Sequence, residues 1–208
     1  MTWDRLMELP TRRLYAGNLA RNLPQYGTHY GLTPFIPAPR NIAHDVRRPY
    51  PIPDNSIDAY QSEDVFEHVE RSEFVPIVDE IHRVLKPGGL FRLSLPDYHF
   101  DIYRDRTLRD PDGKLLFDPG GGGDLDTLGQ VQDGGHLWFP VIDLVREMIE
   151  ESRFAGHASY LHYTNADGTF VMAPIDYRLG HIQRTPDHDD RVRDRPRPLS
   201  IVVDMRKA

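Results

Sequence analysis

The chain has 208 residues, no cysteine and a formal net charge of −7. This length can bury a full hydrophobic core in one domain. The lack of cysteine excludes disulfides, thiolate nucleophiles and cysteine-ligated zinc. The negative charge disfavours nucleic-acid binding, which needs a basic surface. No apolar run approaches the ~20 residues that cross a bilayer, and the first residues lack a secretory signal. We therefore expect a cytoplasmic protein without nucleic-acid or membrane partners.

The first fifty residues predict one short helix and three short strands. Residues 2–9 read as a helix with Thr2 as its N-cap. Strands are expected at residues 13–16, 28–32 and 41–46. The connection between the first two strands is short and contains a proline, so it leaves little room for a crossover helix.

The stretch from residue 45 to residue 97 predicts a strand, a helix and a second strand. The first strand covers residues 57–61, and the helix begins after Ser72 as N-cap and ends at the turn Lys86-Pro87-Gly88-Gly89. The second strand, residues 90–95, is apolar on both faces, as strands of a parallel sheet are. The helix has apolar residues at three-and-four spacing, namely Phe74, Ile77, Val78, Ile81, Val84 and Leu85. Such a unit binds ligands at the carboxyl ends of its strands.

The second half of the chain predicts a helix, two strands and two long insertions. The helix carries Val141, Leu144, Val145, Met148 and Ile149 on one face. The strands are expected at residues 157–163 and 199–205. Asn165-Ala166-Asp167-Gly168 is a hairpin signal that allows residues 169–172 to pair back. The region 97–131 has no regular pattern and contains four consecutive glycines.

PYPIPDNSIDAYQSEDVFEHV, residues 49–69, followed by EIHRVLKPGGLFRLSLPD, residues 80–97, resembles the second half of a class I S-adenosylmethionine-dependent methyltransferase domain. It is most similar to the compact bacterial methyltransferase-like type. The resemblance implies an α/β, three-layer Rossmann-like fold, with a mainly parallel seven-stranded sheet and an antiparallel edge strand. Residues 1–208 would form one domain, with residues 98–135 as an inserted loop or lid. Residues 164–198 would be an insert between the last two strands.

The resemblance also implies an activity and a cofactor. It predicts transfer of a methyl group from S-adenosylmethionine to a small-molecule or saccharide acceptor that carries a hydroxyl group. The cofactor-binding positions carried over from the family are Gly17, Thr33, Asp45, Glu63 and Asp64. Asp45 has two interpretations. In the first, its carboxylate contacts the adenine amino group; in the second, it fixes the turn at residues 47–48.

Histidines and one aspartate are the candidate catalytic residues. Methyl transfer to oxygen or nitrogen needs a base whose pKa lies near the working pH, which histidine provides unaided. His68, after the fourth strand, and His136, before the last helix, are the first candidates. Asp97, after the fifth strand, is the orienting partner or an alternative base. Each histidine could instead be a packed or surface residue.

Two departures from the family pattern support an alternative function. Residues 16–20 read Ala-Gly-Asn-Leu-Ala, with one glycine where the family usually keeps two or three, and Thr33 stands where it places a ribose-binding carboxylate. The alternative is a catalytically inactive methyltransferase-like protein with a binding or assembly role.

A metal site and a dimer are minority hypotheses. His68, Asp97, His99, His136 and His188 offer nitrogen and oxygen ligands. No pair has the spacing of a metal-binding helix motif such as H-E-x-x-H, so no residue is assigned to a metal. The apolar strand at residues 199–205 makes a homodimer conceivable.

Overall fold

A computed structural model describes residues 1–19, 23–35 and 39–208. Its centre is an eight-stranded sheet in the order β11-β10-β12-β5-β4-β1-β2-β3. The strands of this sheet are β1 (Arg13–Ala16), β2 (Tyr30–Thr33), β3 (Asn41–Ala43), β4 (Ile57–Glu63), β5 (Leu85–Pro96), β10 (Ala158–Thr164), β11 (Phe170–Met172) and β12 (Ser200–Arg206). The helices are α1 (Trp3–Met7), α2 (Phe74–Val84), α3 (Asp101–Arg106) and α4 (Ile142–Glu150). Two small hairpins stand apart, β6 (Leu108–Arg109) with β7 (Leu115–Phe117), and β8 (Asp124–Leu125) with β9 (Val131–Gln132).

The mainly parallel Rossmann-like sheet is confirmed, with two corrections. β1 to β5 are parallel to one another. The sheet has eight strands rather than seven, because β11 pairs back on β10 through the expected hairpin. The antiparallel strand that follows the insert, β12, lies inside the sheet between β5 and β10 instead of at its edge.

The two faces of the sheet are covered differently. Side chains of α1, α2 and α4 pack with one face in the main hydrophobic core. The opposite face contains the buried residues Gln61 and Arg92, and both contact the loop that follows β11. The Gln61 amide donates to the carbonyl of His181, and Arg92 donates to the carbonyls of Asp176 and Gly180. The loop that follows β11 therefore packs against this face of the sheet at Gln61 and Arg92.

Helix α2 differs from its prediction at both ends. It is preceded by a 3₁₀ turn, Arg71–Glu73, in which Glu70 and Glu73 form the capping box. Ser72 lies inside this turn and is therefore not the N-cap, because the helical chain begins one turn before α2. At the other end the helix stops at Val84 and β5 begins at Leu85. The Lys-Pro-Gly-Gly turn is thus the first part of a long strand.

The inserted region after β5 has more regular structure than its sequence indicates. It holds α3 and both small hairpins, and Tyr103 of α3 packs in a second apolar cluster with Val192 and Leu199. None of the helices in the described part of the chain has the length and apolar character needed to cross a bilayer.

Candidate functional site

The chain turns sharply where β4 ends, and this turn carries the first part of the candidate site. Asp64 has a φ of 53°, and its N–H donates to the carbonyl of Ser94 on the neighbouring strand at 3.1 Å. The chain then forms a 3₁₀ turn at Phe66–His68. This geometry moves Glu67 and His68 out of the sheet at its carboxyl edge, where the Rossmann topology places ligands.

A distant segment is fixed against this turn by hydrogen bonds. The N–H of Leu137 donates to the carbonyl of Glu67 at 2.8 Å, and the indole N–H of Trp138 donates to the carbonyl of Phe66 at 2.9 Å. His136 is thereby held over Glu67. The rings of His68 and His136 meet edge to face, with centroids 4.7 Å apart.

Glu67, His68 and His136 converge on one point. Oε1 of Glu67 lies 3.6 Å from Nε2 of His136 and 3.8 Å from Nε2 of His68. One ligand-type atom from each residue lies within 4.8 Å of the other two. The Glu67 side chain is completely buried, whereas about 30% of the His68 side chain is exposed. The cluster is therefore open to solvent on the His68 side.

Hydrogen bonds set the orientation of both imidazole rings. Nδ1 of His68 lies 2.6 Å from the carbonyl of Gly134, so this nitrogen carries the proton and donates. Nδ1 of His136 lies 2.5 Å from the hydroxyl of Tyr98, and that hydroxyl donates to Asp118. His136 therefore donates from Nδ1 as well. In both rings the lone pair is left on Nε2, the atom that faces Glu67.

The partners of Tyr98 come from the inserted region. Arg106 binds both oxygens of Asp118, each at 2.7 Å. The glycine run packs closely against these groups, since a Cβ at Gly120 would lie 2.5 Å from the Arg106 guanidinium and one at Gly121 would lie 2.7 Å from the His136 ring. Gly120 and Gly121 thus permit contact between this region and the cluster, a role that the sequence alone did not indicate.

Burial changes the charge state of the cluster. Removal from water raises the pKa of Glu67 well above its usual value, and the negative charge of Asp64 raises it further. Burial also lowers the pKa of His136 to about 4, with His68 adding to the effect. Neither carboxylate oxygen of Glu67 has a hydrogen-bond partner among the described residues. A buried carboxyl group without partners is costly, which marks this one as a candidate functional group.

Asp97 has a different position from the one its expected role requires. Its two oxygens accept from the backbone N–H of His99 at 3.0 Å and of Thr164 at 2.6 Å. These bonds join the end of β5 to the end of β10. The groups that orient the two site histidines are instead Gly134 and Tyr98.

Two of the expected cofactor residues, Glu63 and Asp64, line a cleft of about 330 Å³ at the ends of β1 and β4. Glu63 accepts from the Tyr26 hydroxyl at 2.5 Å and from the N–H of Gln183 at 2.6 Å. Asp64 pairs with Arg184 at 2.9 Å. Burial raises the pKa of Asp64 to about 7, and the nearby Arg184 opposes this shift. The insert therefore reaches the carboxyl edge of the sheet.

The turn after β1 is tightly packed. Gly17 has a φ of 120°, a value that favours glycine. A Cβ at Gly31 would lie 2.6 Å from the carbonyl of Gly17 and 2.4 Å from Oδ1 of Asn41. The N–H of Leu19 donates to that same Oδ1 at 2.9 Å, and Leu19 is buried. Residue 20, the last of the expected glycine-type turn, lies outside the described residues.

Thr33 and Asp45 are at the ends of β2 and beyond β3. Thr33 is buried, and its hydroxyl accepts from the N–H of Phe35 at 3.3 Å. Asp45 forms a two-point ion pair with Arg47, which lowers the pKa of the carboxyl. This is the turn-fixing contact expected in the second interpretation of Asp45. The carboxylate also lines a separate cavity of about 400 Å³ with Pro34.

The residues considered as metal ligands divide into separate groups. His68 and His136 lie together, and the third member of their group is Glu67, which was not among the predicted ligands. Nδ1 of His99 donates to the carbonyl of Thr164 at 3.1 Å, and His188 packs against Tyr177. A signal for Glu67 was available, since a carboxylate directly precedes His68 in the recognised motif. Tyr98 follows the fifth strand directly, which indicated its place at the carboxyl edge of the sheet, whereas no sequence signal indicated Asp118.

The fold resembles that of known methyltransferases, and part of the sequence matches a methyltransferase family model. Residues 18–93 match the family model described as a methyltransferase domain. No protein with a curated description matches the chain. An S-adenosylmethionine-dependent methyltransferase from Mesorhizobium loti is similar, with a TM-score of 0.52, 15% identity and coverage of 98% of this chain and 96% of that one.

Two further solved structures have the same fold. A methyltransferase from Archaeoglobus fulgidus gives a TM-score of 0.52 at 12% identity, over 95% of this chain and 87% of that one. The 1,6-didemethyltoxoflavin-N1-methyltransferase of Burkholderia thailandensis, solved with its substrate and S-adenosylhomocysteine, gives 0.50 at 12% identity over 94% and 70%. At these identities the likeness establishes a shared fold.

Proposed function

We propose that this chain is a class I S-adenosylmethionine-dependent methyltransferase that transfers a methyl group to an oxygen of a small, sugar-like acceptor. The family-model match over residues 18–93 and the fold shared with the Mesorhizobium loti methyltransferase support this proposal. The observation that carries this proposal is the adjacency of two features at the end of β4. The cleft that includes Glu63 and Asp64 and the cluster of Glu67 and His68 are separated by one turn of chain.

The chemical character of the cleft suits the methionine part of the cofactor. That part is a zwitterion, with an ammonium and a carboxylate group. Glu63 and Asp64 offer negative charge for the ammonium, and Arg184 lies on the same wall. Oδ1 of Asp64 is buried without a hydrogen-bond partner among the described residues. A cleft of about 330 Å³ is within the range of small-molecule sites.

The remaining cofactor positions belong to the same proposal. Gly17 would allow the backbone to approach the cofactor, Thr33 would face the ribose, and Asp45 would face the adenine. When bound, S-adenosylmethionine supplies an electrophilic methyl group on a sulfonium sulfur.

His68 is the residue best placed to accept the proton from the acceptor hydroxyl. Its Nδ1 proton is committed to Gly134, so Nε2 carries the free lone pair. Its side chain is also partly exposed, which allows an acceptor to reach it. His136 is the weaker base, because burial holds its pKa at about 4. In this proposal His136 positions the site, and Asp97 holds the end of β5 in place through its bonds to the backbone of His99 and Thr164.

A second candidate function follows from the packing after β1. Tyr15, Leu19 and Tyr26 form a small apolar cluster of their own, and the Tyr26 hydroxyl already binds Glu63. These contacts occupy part of the edge where the family binds its cofactor. They favour the alternative of an inactive methyltransferase-like protein with a binding or assembly role.

Calorimetric titration with S-adenosylmethionine and S-adenosylhomocysteine distinguishes the two functions. Active protein should bind both ligands in the micromolar range. Asp64→Asn should weaken binding at least tenfold, whereas Asp176→Asn, which changes an exposed carboxylate of the insert, should not. Absence of binding at millimolar ligand would reject the methyltransferase function and leave the binding role.

Acceptor identity needs a second assay. Protein that binds the cofactor should transfer a labelled methyl group to some members of a panel of monosaccharides and glycosides. His68→Gln should lower kcat at least a hundredfold with little change in cofactor affinity. Transfer to amines but not to hydroxyl compounds would contradict the oxygen acceptor.

A further inference from the structure

The site cluster has the features of a metal centre rather than of a simple acid–base pair. Two imidazole rings present Nε2 to the same carboxylate, at 3.6 and 3.8 Å from Oε1 of Glu67. Ligand atoms bound to one zinc ion at about 2.0–2.2 Å lie ~3.3–3.5 Å apart in a tetrahedral site. The two separations from Glu67 exceed this by a few tenths of an ångström, and all three ligand atoms lie within 4.8 Å of one another. We propose that Glu67, His68 and His136 bind one divalent transition-metal cation.

The groups behind the two histidines support this assignment. A metal-binding histidine usually donates its other N–H to a carbonyl or carboxylate, which fixes the ring and the tautomer. His68 donates to Gly134, and His136 donates to Tyr98, whose hydroxyl donates to Asp118. Both rings are thus held in the tautomer that leaves Nε2 free to coordinate.

Glu67 supplies an independent observation. Its side chain is fully buried, and neither oxygen has a hydrogen-bond partner among the described residues. The backbone carbonyl of Glu67, in contrast, is fixed by the N–H of Leu137. A polar group held rigidly in the interior with its acceptor atoms unused is expected where a cation completes the site.

The ligand set selects among cations. Two nitrogen ligands and one oxygen suit Mn²⁺, Fe²⁺, Co²⁺ and Zn²⁺, whereas Mg²⁺ and Ca²⁺ prefer oxygen ligands throughout. Three protein ligands leave at least one coordination position open. The exposed side of His68 is where a water molecule or another oxygen would reach it.

The site has a role in the proposed reaction, and this part of the inference rests on the proposed function. An acceptor hydroxyl bound in the open position would be oriented and its pKa lowered by the cation. With His68 engaged as a ligand, the acceptor proton would then pass to solvent. With a cation bound, His68 therefore acts as a ligand; in metal-free protein it remains the base of the proposed function.

The binding test uses the full-length chain without S-adenosylmethionine, so its result does not depend on cofactor binding. Protein stripped with EDTA and dialysed is titrated with Mn²⁺, Zn²⁺ and Mg²⁺ by calorimetry, and with Co²⁺ by visible absorption. One equivalent of Mn²⁺, Zn²⁺ and Co²⁺ should bind, with Mg²⁺ at least tenfold weaker. The Co²⁺ protein should show ligand-field bands.

Variants identify the ligands. Glu67→Gln keeps the side-chain volume, and His68→Gln changes a partly exposed residue, so at least one of them should fold as the parent does in a metal-free melt. Each folded variant should bind Zn²⁺ at least tenfold more weakly and lose the Co²⁺ bands. His157→Gln is the matched control, since His157 is exposed, and it should bind as the parent does. Absence of saturable binding to the parent, or binding that survives both site substitutions, would overturn the proposal.

Discussion

The fully buried Arg92 on β5 allows a quantitative test of how the insert is attached. Its Nε and Nη2 each donate to a separate oxygen of Asp204 at 2.7 Å, and its Nη1 donates to the carbonyls of Asp176 and Gly180. Asp204→Ala removes two charged hydrogen bonds and leaves the cation buried. Each such bond contributes about 1.5–3 kcal/mol, and breaking a buried pair from one side costs about 3–5 kcal/mol. Because Asp204 is about 15% exposed, water can replace part of the loss.

We therefore expect Asp204→Ala to lower the free energy of unfolding by about 3 kcal/mol, measured by urea denaturation. The melting temperature should fall by about 6–12 °C for a chain of this size. Asp176→Ala is the matched control, because Arg92 uses only the backbone carbonyl of that residue. It removes the exposed contacts of Asp176 with Arg178, so its loss should be small and well below that of Asp204→Ala. Adding Arg92→Met to Asp204→Ala should recover much of the loss, since no buried charge remains. A loss below about 1 kcal/mol for Asp204→Ala, or equal losses in both aspartate variants, would refute the reasoning.

Three further predictions concern residues in β2 and in the segment that precedes it. Burial and nearby arginines lower the pKa of His29 from 6.5 to about 4. Between these two pH values only the unfolded chain binds the proton. The free energy of unfolding should therefore be at its full value above about pH 6.5 and fall by about 3 kcal/mol as the pH drops to 4. His29→Gln should flatten that part of a pH series of urea melts, and an unchanged slope would contradict the assignment. Gly31→Ala should lower the free energy of unfolding by about 2 kcal/mol in the same assay, because its Cβ would lie 2.4 Å from Oδ1 of Asn41. A loss below about 0.5 kcal/mol would show that the strands can separate. Tyr26→Phe removes a hydrogen-bond donor from the buried Glu63, whose pKa burial already raises. The substitution should therefore destabilise the protein more at pH 8 than at pH 5. The opposite order would contradict a charged Glu63.

The parallel part of the sheet could be predicted because local patterns and a family resemblance agreed, whereas the number of strands and the internal position of β12 could not. The apolar spacing of α2 and the turn after it place β4 and β5 side by side, and the remaining strands follow from the fold. The helix cap was misplaced because a 3₁₀ turn has the same local sequence preferences as the first turn of an α-helix. α3 was missed since it has six residues, too few to show a periodicity.

The candidate site was only half predictable. His68 lies in the recognised motif, and its position at the carboxyl edge follows from the strand before it. His136 comes from a region without sequence pattern, and its contact with Glu67 depends on the backbone bonds of Leu137 and Trp138. Asp97 was expected near the histidines because it follows a neighbouring strand, but its bonds turn it towards Thr164. Contacts of this kind depend on tertiary packing, which spacing in the sequence does not report.

The internal position of β12 has a consequence for how the chain folds. β10 and β11 are joined to the rest of the sheet through β12, which follows them in the chain after the insert. During synthesis, β1 to β5 can pair as soon as they emerge, whereas β10 and β11 must wait for a strand made later. Such long-range pairing slows folding and leaves the edge of β5 temporarily unpaired. The intermediate in which β5 is still an exposed edge is therefore the state in which we expect the chain to be most prone to aggregation.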